Sequence, residues 1–533
     1  MPTHLVQSRA LPRVAAPPVE TDPGVLARVA EDAAHYPGGR PAGLVRPRDA
    51  AEVAAVLALG RPVLAVGAQS SLTGGATPFD DLVLATDRLA GIELGDTTVR
   101  AGAGVTLQAL QDALAPHGLW FPPVPTWLGA TVGGAVSTNA AGAATFKYGA
   151  VRAWVEGLTI VLADGRALDL RRGDVQAAAD GFVLESPDGA RAIPIAPLPM
   201  PDVPKRSAGY HLAAGMDLVD LFIGAEGTLG VVVDATLRVA PRPAARCLAL
   251  VALPGEDAAI RLVDDLRRAS RTTWATGDPR GVDVAAIEHM DRRAIEIVRE
   301  DGVLARLAIA LPDDVEVVLL VEVELGPLEA GRDLWDEAAG ALAPEAPDGS
   351  LARLCRLLAA HGVLETTELA LAGQARRAAA FVELREAVPD SVNRRVARAR
   401  ARVDARITKT AADVVVPVDR FGDLMVRCRA LAAARGLDMA VWGHISDGNV
   451  HPNVIPRSYD DVISGREAIV ELGRAAIALG GCPFAEHGVG RNPAKQALLV
   501  ELYGDNGVAA MRAVKRALDP ASLLARGVLF PPE

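Results

Sequence analysis

Two of the nine histidines flank an Asp-Gly pair in "WGHISDGNVHPN" (residues 442–453). Asp447-Gly448 favours a two-residue hairpin turn with positive φ at both central positions. Such a turn sets His444 directly opposite His451. Cross-strand partners hold their β-carbons about 4.5–5.5 Å apart, close enough for two imidazoles to share one metal ion. On an uninterrupted strand, residues an odd number apart face opposite sides, so the turn is what makes the pair converge. A polar surface hairpin with incidental histidines is the plainer alternative, and a third ligand is needed to displace it.

A candidate third ligand stands downstream in "GCPFAEHGVGRNPAKQ" (481–496). The Glu486 carboxylate beside two imidazoles gives the mixed nitrogen and oxygen set of catalytic zinc and related divalent ions, with coordination positions left open. Adjacent residues on an extended chain point in opposite directions. If Glu486 binds metal, His487 is left free as an acid or base; the alternative is an ordinary exposed Glu-His pair.

These residues need a scaffold, and 533 residues suggest two or three domains. Half the residues are hydrophobic but only 4% are aromatic, so the interior is expected to be Ala, Val and Leu with glycines for close backbone approach. A net charge of −11 without a long basic run argues against nucleic acid as a partner. The Arg-rich stretch 392–409 reads as one face of a solvated helix. No run reaches about 18 apolar residues, so no membrane span is expected, and the N-terminus lacks an apolar signal core. Cys247, Cys355, Cys428 and Cys482 form no C-x-x-C, which suits a reducing cytoplasm and argues against an iron–sulfur cluster.

Residues 1–40 read as a Pro-rich lead-in. From 41 onward, β-type runs (62–68, 81–89) alternate with Ala-rich helix (49–60), and 155–170 carries a hairpin signal at Asp164-Gly165. The strand in 227–243 ends in prolines, which places a boundary near 241. Beyond it, a strand (246–255), two helices (256–270 and 283–300) and a strand (315–325) suggest an α+β layer with antiparallel strands; a helical passage from about 328 to 405 follows. Gly-rich stretches at 65–78, 123–154 and 224–232 offer backbone amides to phosphate oxygens. None is a G-x-G-x-x-G opening a helix, so a Rossmann fold is not expected.

In order, the loop at 66–76, "TVGGAVSTNAAG" (131–142), "KYG" (147–149), "GYHL…DLVDLFIGAEGTLGVV" (209–232), "GHISDGNVHPN" (443–453), "EHGVGR" (486–491) and "KRALDP" (515–520) carry a resemblance that spans about 41–531. The chain resembles the FAD-linked oxidases of the vanillyl-alcohol oxidase type, in the D-2-hydroxyacid dehydrogenase branch that includes D-lactate, glycolate-oxidase-subunit and D-2-hydroxyglutarate dehydrogenases. The resemblance implies an α+β protein: a PCMH-type FAD-binding domain of two α/β subdomains (41–241) and a C-terminal cap with an antiparallel sheet (242–533). Gly67, Ala68, Gln69, Ser70, Ser71 and Thr73 would hold the pyrophosphate. Pro125, Thr126, Gly129, Thr131, Gly134, Ser137, Asn139, Glu226, Gly230 and Val231 would line the rest of the cofactor. Some members attach FAD through a histidine of the first loop; Gln69-Ser70 here implies non-covalent FAD.

In the cap, His444, His451 and Glu486 match the family's metal ligands and His487 its base, in agreement with the hairpin argument. The metal is left open among zinc, manganese and iron. Asn453 would approach the substrate or metal shell, and Arg385 would clamp a substrate carboxylate, a job suited to a two-pronged donor; a surface arginine paired with Glu383 or Glu386 is its alternative. Lys409 is a weaker candidate beside that of a strand-edge lysine.

The implied reaction is oxidation of a small 2-hydroxy acid, with an electron acceptor the residues do not name, in a cytoplasmic setting at most peripheral to a membrane and with a homodimer as the candidate assembly. Ser446 before the Asp-Gly turn, the ending "ARGVLF" (525–530) and the spacing of "KTAADVVVP" depart from the family pattern and leave the hydroxy acid open. Two other classes compete: a flavoenzyme of other chemistry, such as an alkylglycerone-phosphate-synthase-like enzyme or a sugar or aldonolactone oxidase, and a flavin electron-transfer subunit. Neither is expected to carry the histidine hairpin followed by Glu-His, so metal content discriminates.

Overall fold

The computed structural model describes residues 3–326, 334–343 and 348–532. The expected helical passage at 328–405 therefore falls partly outside the described residues. Near the N-terminus, Leu82–Ala85 lies between Gly43–Val45 and Val63–Val66 in a three-stranded parallel sheet. "LVLA" is buried throughout, as parallel strands covered on both faces are. Asp49 caps the helix Ala50–Leu57 by accepting from Glu52 N at 2.9 Å. A second, antiparallel sheet of five strands includes Val155–Val161 and Ala167–Arg171, joined at the expected Asp164-Gly165 turn, with Val231–Arg238 on the other side of Val155–Val161.

The remaining large sheet starts at Thr367–Ala370 and runs through Ala245–Leu253, Val317–Leu325, Val284–Asp291, Met439–His444 and Asn449–Val454. Side chains alternate between two cores, as strand geometry requires. Cys247, Ala249 and Val251 face Leu262 and Leu266 of the helix Glu256–Thr276. Leu248, Leu250 and Ala252 face Ile297 of Arg292–Glu300 and Phe381 and Val388 of Ala375–Arg402.

The helix expected over 283–300 is instead the strand Val284–Asp291 followed by the helix Arg292–Glu300, with Asp291 accepting from Ala294 N at 2.8 Å as its cap. The strand sits inside the sheet and is buried along nearly its whole length; such a continuous apolar run carries no period that tells it from a buried helix. The passage to 405 is likewise broken by the strand Thr367–Ala370. After the cap, Pro493–Leu518 and the tail return to the first core, where Leu498, Met511 and Phe530 pack with the strands of the N-terminal region. Val63 N donates to Leu523 O at 2.8 Å. The segment 486–491 thus lies where the two parts of the molecule meet. Among the described residues no helix is long and apolar enough to cross a membrane.

The histidine hairpin departs from the two-residue turn. Residues Ile445–Asp447 form a 3₁₀ turn closed by Gly448 at φ 80°, and the register pairs His444 with Asn449 and Trp442 with His451. The imidazoles are therefore diagonal neighbours on one face, not directly opposite, with ring centroids 5.6 Å apart. Only Gly448 takes the left-handed conformation; Asp447 instead turns its buried carboxylate toward Lys205, with Oδ2 3.1 Å from Nζ. A Cβ on Gly448 would lie 2.0 Å from Val416 O. Gly448→Ala is expected to cost at least about 2 kcal/mol from left-handed strain and the clash together, read as a lower unfolding midpoint in denaturant; an unchanged midpoint contradicts this account of the turn.

Candidate active site

His444 ends one hairpin strand and His451 stands on the other, both buried. Glu486 reaches between them from the segment after Phe484: Oε1 is 3.4 Å from His444 Nε2 and Oε2 is 3.9 Å from His451 Nε2. Ligand atoms of a tetrahedral zinc with bonds of roughly 2.0–2.1 Å stand about 3.3–3.4 Å apart. The donor atoms of the three residues all lie within 4.8 Å of one another, so small side-chain shifts suffice for a shared ion. Behind the rings, His444 Nδ1 lies 3.1 Å from Glu288 Oε1 and His451 Nδ1 lies 3.4 Å from Asp413 Oδ1. Neither contact has hydrogen-bond alignment, yet each points a ring by its Nδ1 side and leaves Nε2 for a ligand role, as carboxylates do behind metal-bound histidines.

Asp413, His451 and His487 form a second triad within the same distance limit. Asp413 is already committed: Oδ2 accepts from Glu486 N and His487 N at 2.8 and 2.9 Å, and Oδ1 accepts from Asn449 Nδ2 at 3.1 Å. It organises the segment 486–487 with both oxygens engaged, whereas Glu486 spends only Oε1, on Lys205, so the set His444, His451 and Glu486 is the better one for an ion.

Lys205, fully buried, projects from the N-terminal part of the chain under the hairpin. Its Nζ donates to Glu486 Oε1 at 2.6 Å and to Asn449 Oδ1 at 3.3 Å, and lies 3.1 Å from Asp447 Oδ2. Burial opposes charge on Glu486, but Lys205 and the histidines bring its carboxyl below the ordinary range. Around the two rings, Lys205 pairs with Asp447 and Glu486 and Arg385 pairs with Glu288, while Asp413 faces His451 and His487 and feels the charge of Lys495. Burial pushes Asp447 up despite Lys205. The donor set of His444, His451 and Glu486 suits a divalent cation.

His487 stacks on His451 at 5.5 Å and turns Nδ1 toward Asp413 Oδ2 at 3.3 Å. Burial pushes the imidazole down to about 4, outweighing the pull of Asp413. Nδ1 is the nitrogen that faces the carboxylate, which leaves Nε2 as the acceptor of the neutral ring. A cavity of about 340 Å³ runs from Glu486 and His487 into the N-terminal loops. Of the residues expected to hold the cofactor, Ala68, Gln69, Ser70, Ser71, Pro125, Thr126, Thr131, Gly134, Ser137, Glu226, Gly230 and Val231 line it. This small-residue cradle suits a long ligand with phosphates held by amides.

Gly67, Thr73, Gly129 and Asn139 do not line the cavity, and three of them have structural work. A Cβ on Gly67 would lie 2.1 Å from Thr131 Oγ1, so glycine there lets the two loops touch. Thr73 Oγ1 reaches His487 O at 3.5 Å, and Asn139 bridges Arg152 N and Arg206 O. The Gln69 side chain is spent on Val29 O and Ala76 O, closing its loop. Asn453, buried beside the set, donates to His451 O at 2.9 Å and leaves Oδ1 without a partner. Arg385 does not pair with Glu383 or Glu386: it is buried, its Nε donates to Glu288 Oε2 at 2.8 Å, and Glu383 pairs with Arg306. Lys409 is exposed beside the short strand Thr410–Ala411, which pairs with the strand of His451 and Asn453. Ser446, a departure from the family pattern, accepts from Ile287 N at 3.2 Å and ties the hairpin to the Glu288 strand. Sequence reasoning missed Glu288, Asp413 and Lys205.

Residues 242–529 match the family of FAD linked oxidases, C-terminal domain, and residues 41–171 match an FAD binding domain family. The chain is 28% identical to a D-lactate dehydrogenase of Archaeoglobus fulgidus over 95% of this chain and 94% of that protein. It is 28% identical to a D-2-hydroxyglutarate dehydrogenase of Xanthomonas citri pv. viticola over 96% and 94% of the two chains. A glycolate oxidase subunit of Bacillus subtilis is 26% identical over 92% and 89%. Among solved structures, an alkyldihydroxyacetonephosphate synthase shares the fold with a TM-score of 0.55 at 13% identity, covering 91% of this chain and 77% of that one.

Glu226 joins the two halves of the site: it lines the cavity, and its two oxygens accept from Val489 N and Gly490 N at 2.8 and 2.9 Å. Burial raises its carboxyl from 4.5 to about 7 against those two bonds. A raised folded value means the native state holds the proton longer, so this contribution to stability is full below about 4.5 and is lost as pH rises through about 7. Melting temperature measured from pH 4.5 to 7.5 is expected to fall less steeply in Glu226→Gln than in wild type; parallel curves contradict the assignment.

Proposed function

The chain belongs to the FAD linked oxidases, and on that premise we propose that it oxidises a D-2-hydroxy acid to the 2-oxo acid with non-covalent FAD and a divalent metal. The observation that carries this reading is the single cavity that joins the cofactor loops to Glu486 and His487. The named activities of the similar D-lactate and D-2-hydroxyglutarate dehydrogenases support the substrate class. Non-covalent attachment is supported by the lining itself: among the described residues it includes no cysteine or tyrosine, and its one histidine is His487.

When bound, FAD supplies the hydride acceptor, and a divalent ion held by His444, His451 and Glu486 supplies the Lewis acidity that makes an alcohol more acidic. Arg385, fixed through Nε by Glu288, has its terminal N–H groups to offer the substrate carboxylate. Asn453 Oδ1, buried and unpaired, is an acceptor for a substrate or shell donor. His487 takes the hydroxyl proton at Nε2 while Asp413 steadies the Nδ1 side and favours the imidazolium that forms. Removing that proton drives electrons from the oxygen toward the α-carbon, whose hydride then departs.

Anaerobic mixing of the FAD-loaded, metal-loaded protein with a panel of D- and L-2-hydroxy acids tests the reading. One D-acid is expected to bleach the flavin rapidly and its L-enantiomer is not; no bleaching by any acid contradicts it. His487→Ala is expected to lower turnover by roughly 10²–10⁴-fold with the FAD absorbance retained, whereas an unchanged rate removes His487 from the role of base.

A further inference from the structure

Glu288 is the direct cross-strand partner of His444 in the large sheet. Its two carboxylate oxygens are divided: Oε1 lies 3.1 Å from His444 Nδ1, and Oε2 accepts from Arg385 Nε at 2.8 Å. Both Glu288 and Arg385 are 9% exposed, so neither exchanges its partner for water without opening the sheet. We infer that Glu288 is a positioning residue that couples binding of a carboxylate at Arg385 to binding of a divalent cation at His444. The inference rests on the proposed roles of Arg385 and His444 and goes beyond them by linking the two sites.

The coupling follows from one anion serving two cationic demands. A carboxylate behind a ligating imidazole fixes the ring and strengthens its donor nitrogen, an effect of roughly 10–100-fold in metal affinity. Arg385 draws on the same carboxylate. When a ligand carboxylate takes up part of the guanidinium's charge, Glu288 is freed to support His444, and the cation is held more tightly. By linkage the cation must strengthen carboxylate binding by the same factor. Ser446, which receives the Ile287 N–H, holds the hairpin in register with this strand, so the shared carboxylate stands on a rigid element.

The test uses the full FAD-loaded chain stripped of metal, titrated with Mn²⁺ by equilibrium dialysis, with and without propionate, a carboxylate lacking a hydroxyl. Propionate is expected to tighten Mn²⁺ binding in wild type. Glu288→Gln is expected to weaken Mn²⁺ binding roughly 10–100-fold and to abolish the propionate effect, with the melting temperature reported alongside. Arg385→Gln keeps Glu288 on His444 and is expected to retain Mn²⁺ binding while losing the propionate effect, so this arm decides if Glu288→Gln fails to fold. Wild-type Mn²⁺ affinity in Glu288→Gln, or a propionate effect that survives in Arg385→Gln, overturns the coupling. Failure of the wild-type protein to bind Mn²⁺ overturns the metal reading itself, and the coupling with it.

Discussion

Four carboxylates converge on two imidazoles in the interior of this protein. Glu288, Asp413, Asp447 and Glu486 gather around His444 and His451; Lys205 and Arg385 pair with three of them, and Lys495 lends its charge to Asp413. Burying unpaired charge costs several kcal/mol per ion, so each of these groups is kept beside a partner, and His444, His451 and Glu486 bring their donor atoms within 4.8 Å of one another. A divalent cation is the proposed occupant of that point; of the other carboxylates, Glu288 and Asp413 orient rings and Asp447 holds Lys205.

The rest of the architecture serves that convergence. The large sheet supplies Glu288, His444 and His451 from adjacent strands, so their spacing is fixed by register. Lys205 comes from the N-terminal part of the chain and Glu486 from the segment that returns to the first core. The ion pair between them, 281 residues apart in sequence, ties the cofactor side of the cavity to the cation side. Glu226 repeats the tie by holding the loop 489–490. Flavin and alcohol chemistry need reacting groups held in one geometry, and these two cross-links are what hold it.

Much of the site was legible because its main residues cluster in two short motifs. His444, His451, Glu486 and His487 were candidates from local pattern, and the structure brings all four together. The hairpin register was misread because an Asp-Gly pair suggests the shortest turn, whereas Asp447 is engaged by Lys205 and the loop takes a 3₁₀ turn. Glu288 was hidden for a different reason. Its strand is buried on both faces and runs into a helix at Asp291, so "VAAIEHMDRRAIEIVRE" reads as one helix. Lys205 and Asp413 acquire meaning only through partners distant in sequence, which no local period reveals. In the N-terminal loops, composition marked the Gly-rich stretches and the family resemblance named the residues, but neither separated those that line the cavity from Gly67 and Asn139, which do not.

The most direct measurement of the central claim is the single-turnover rate of flavin reduction by an excess of one D-2-hydroxy acid, without oxygen, in protein stripped of metal and again after reloading with Zn²⁺ or Mn²⁺. The account predicts a fall of roughly 100-fold or more on stripping, about 3 kcal/mol of barrier, with full recovery on reloading and constant FAD content. Equal rates in the stripped and reloaded protein would contradict a cation-centred active site.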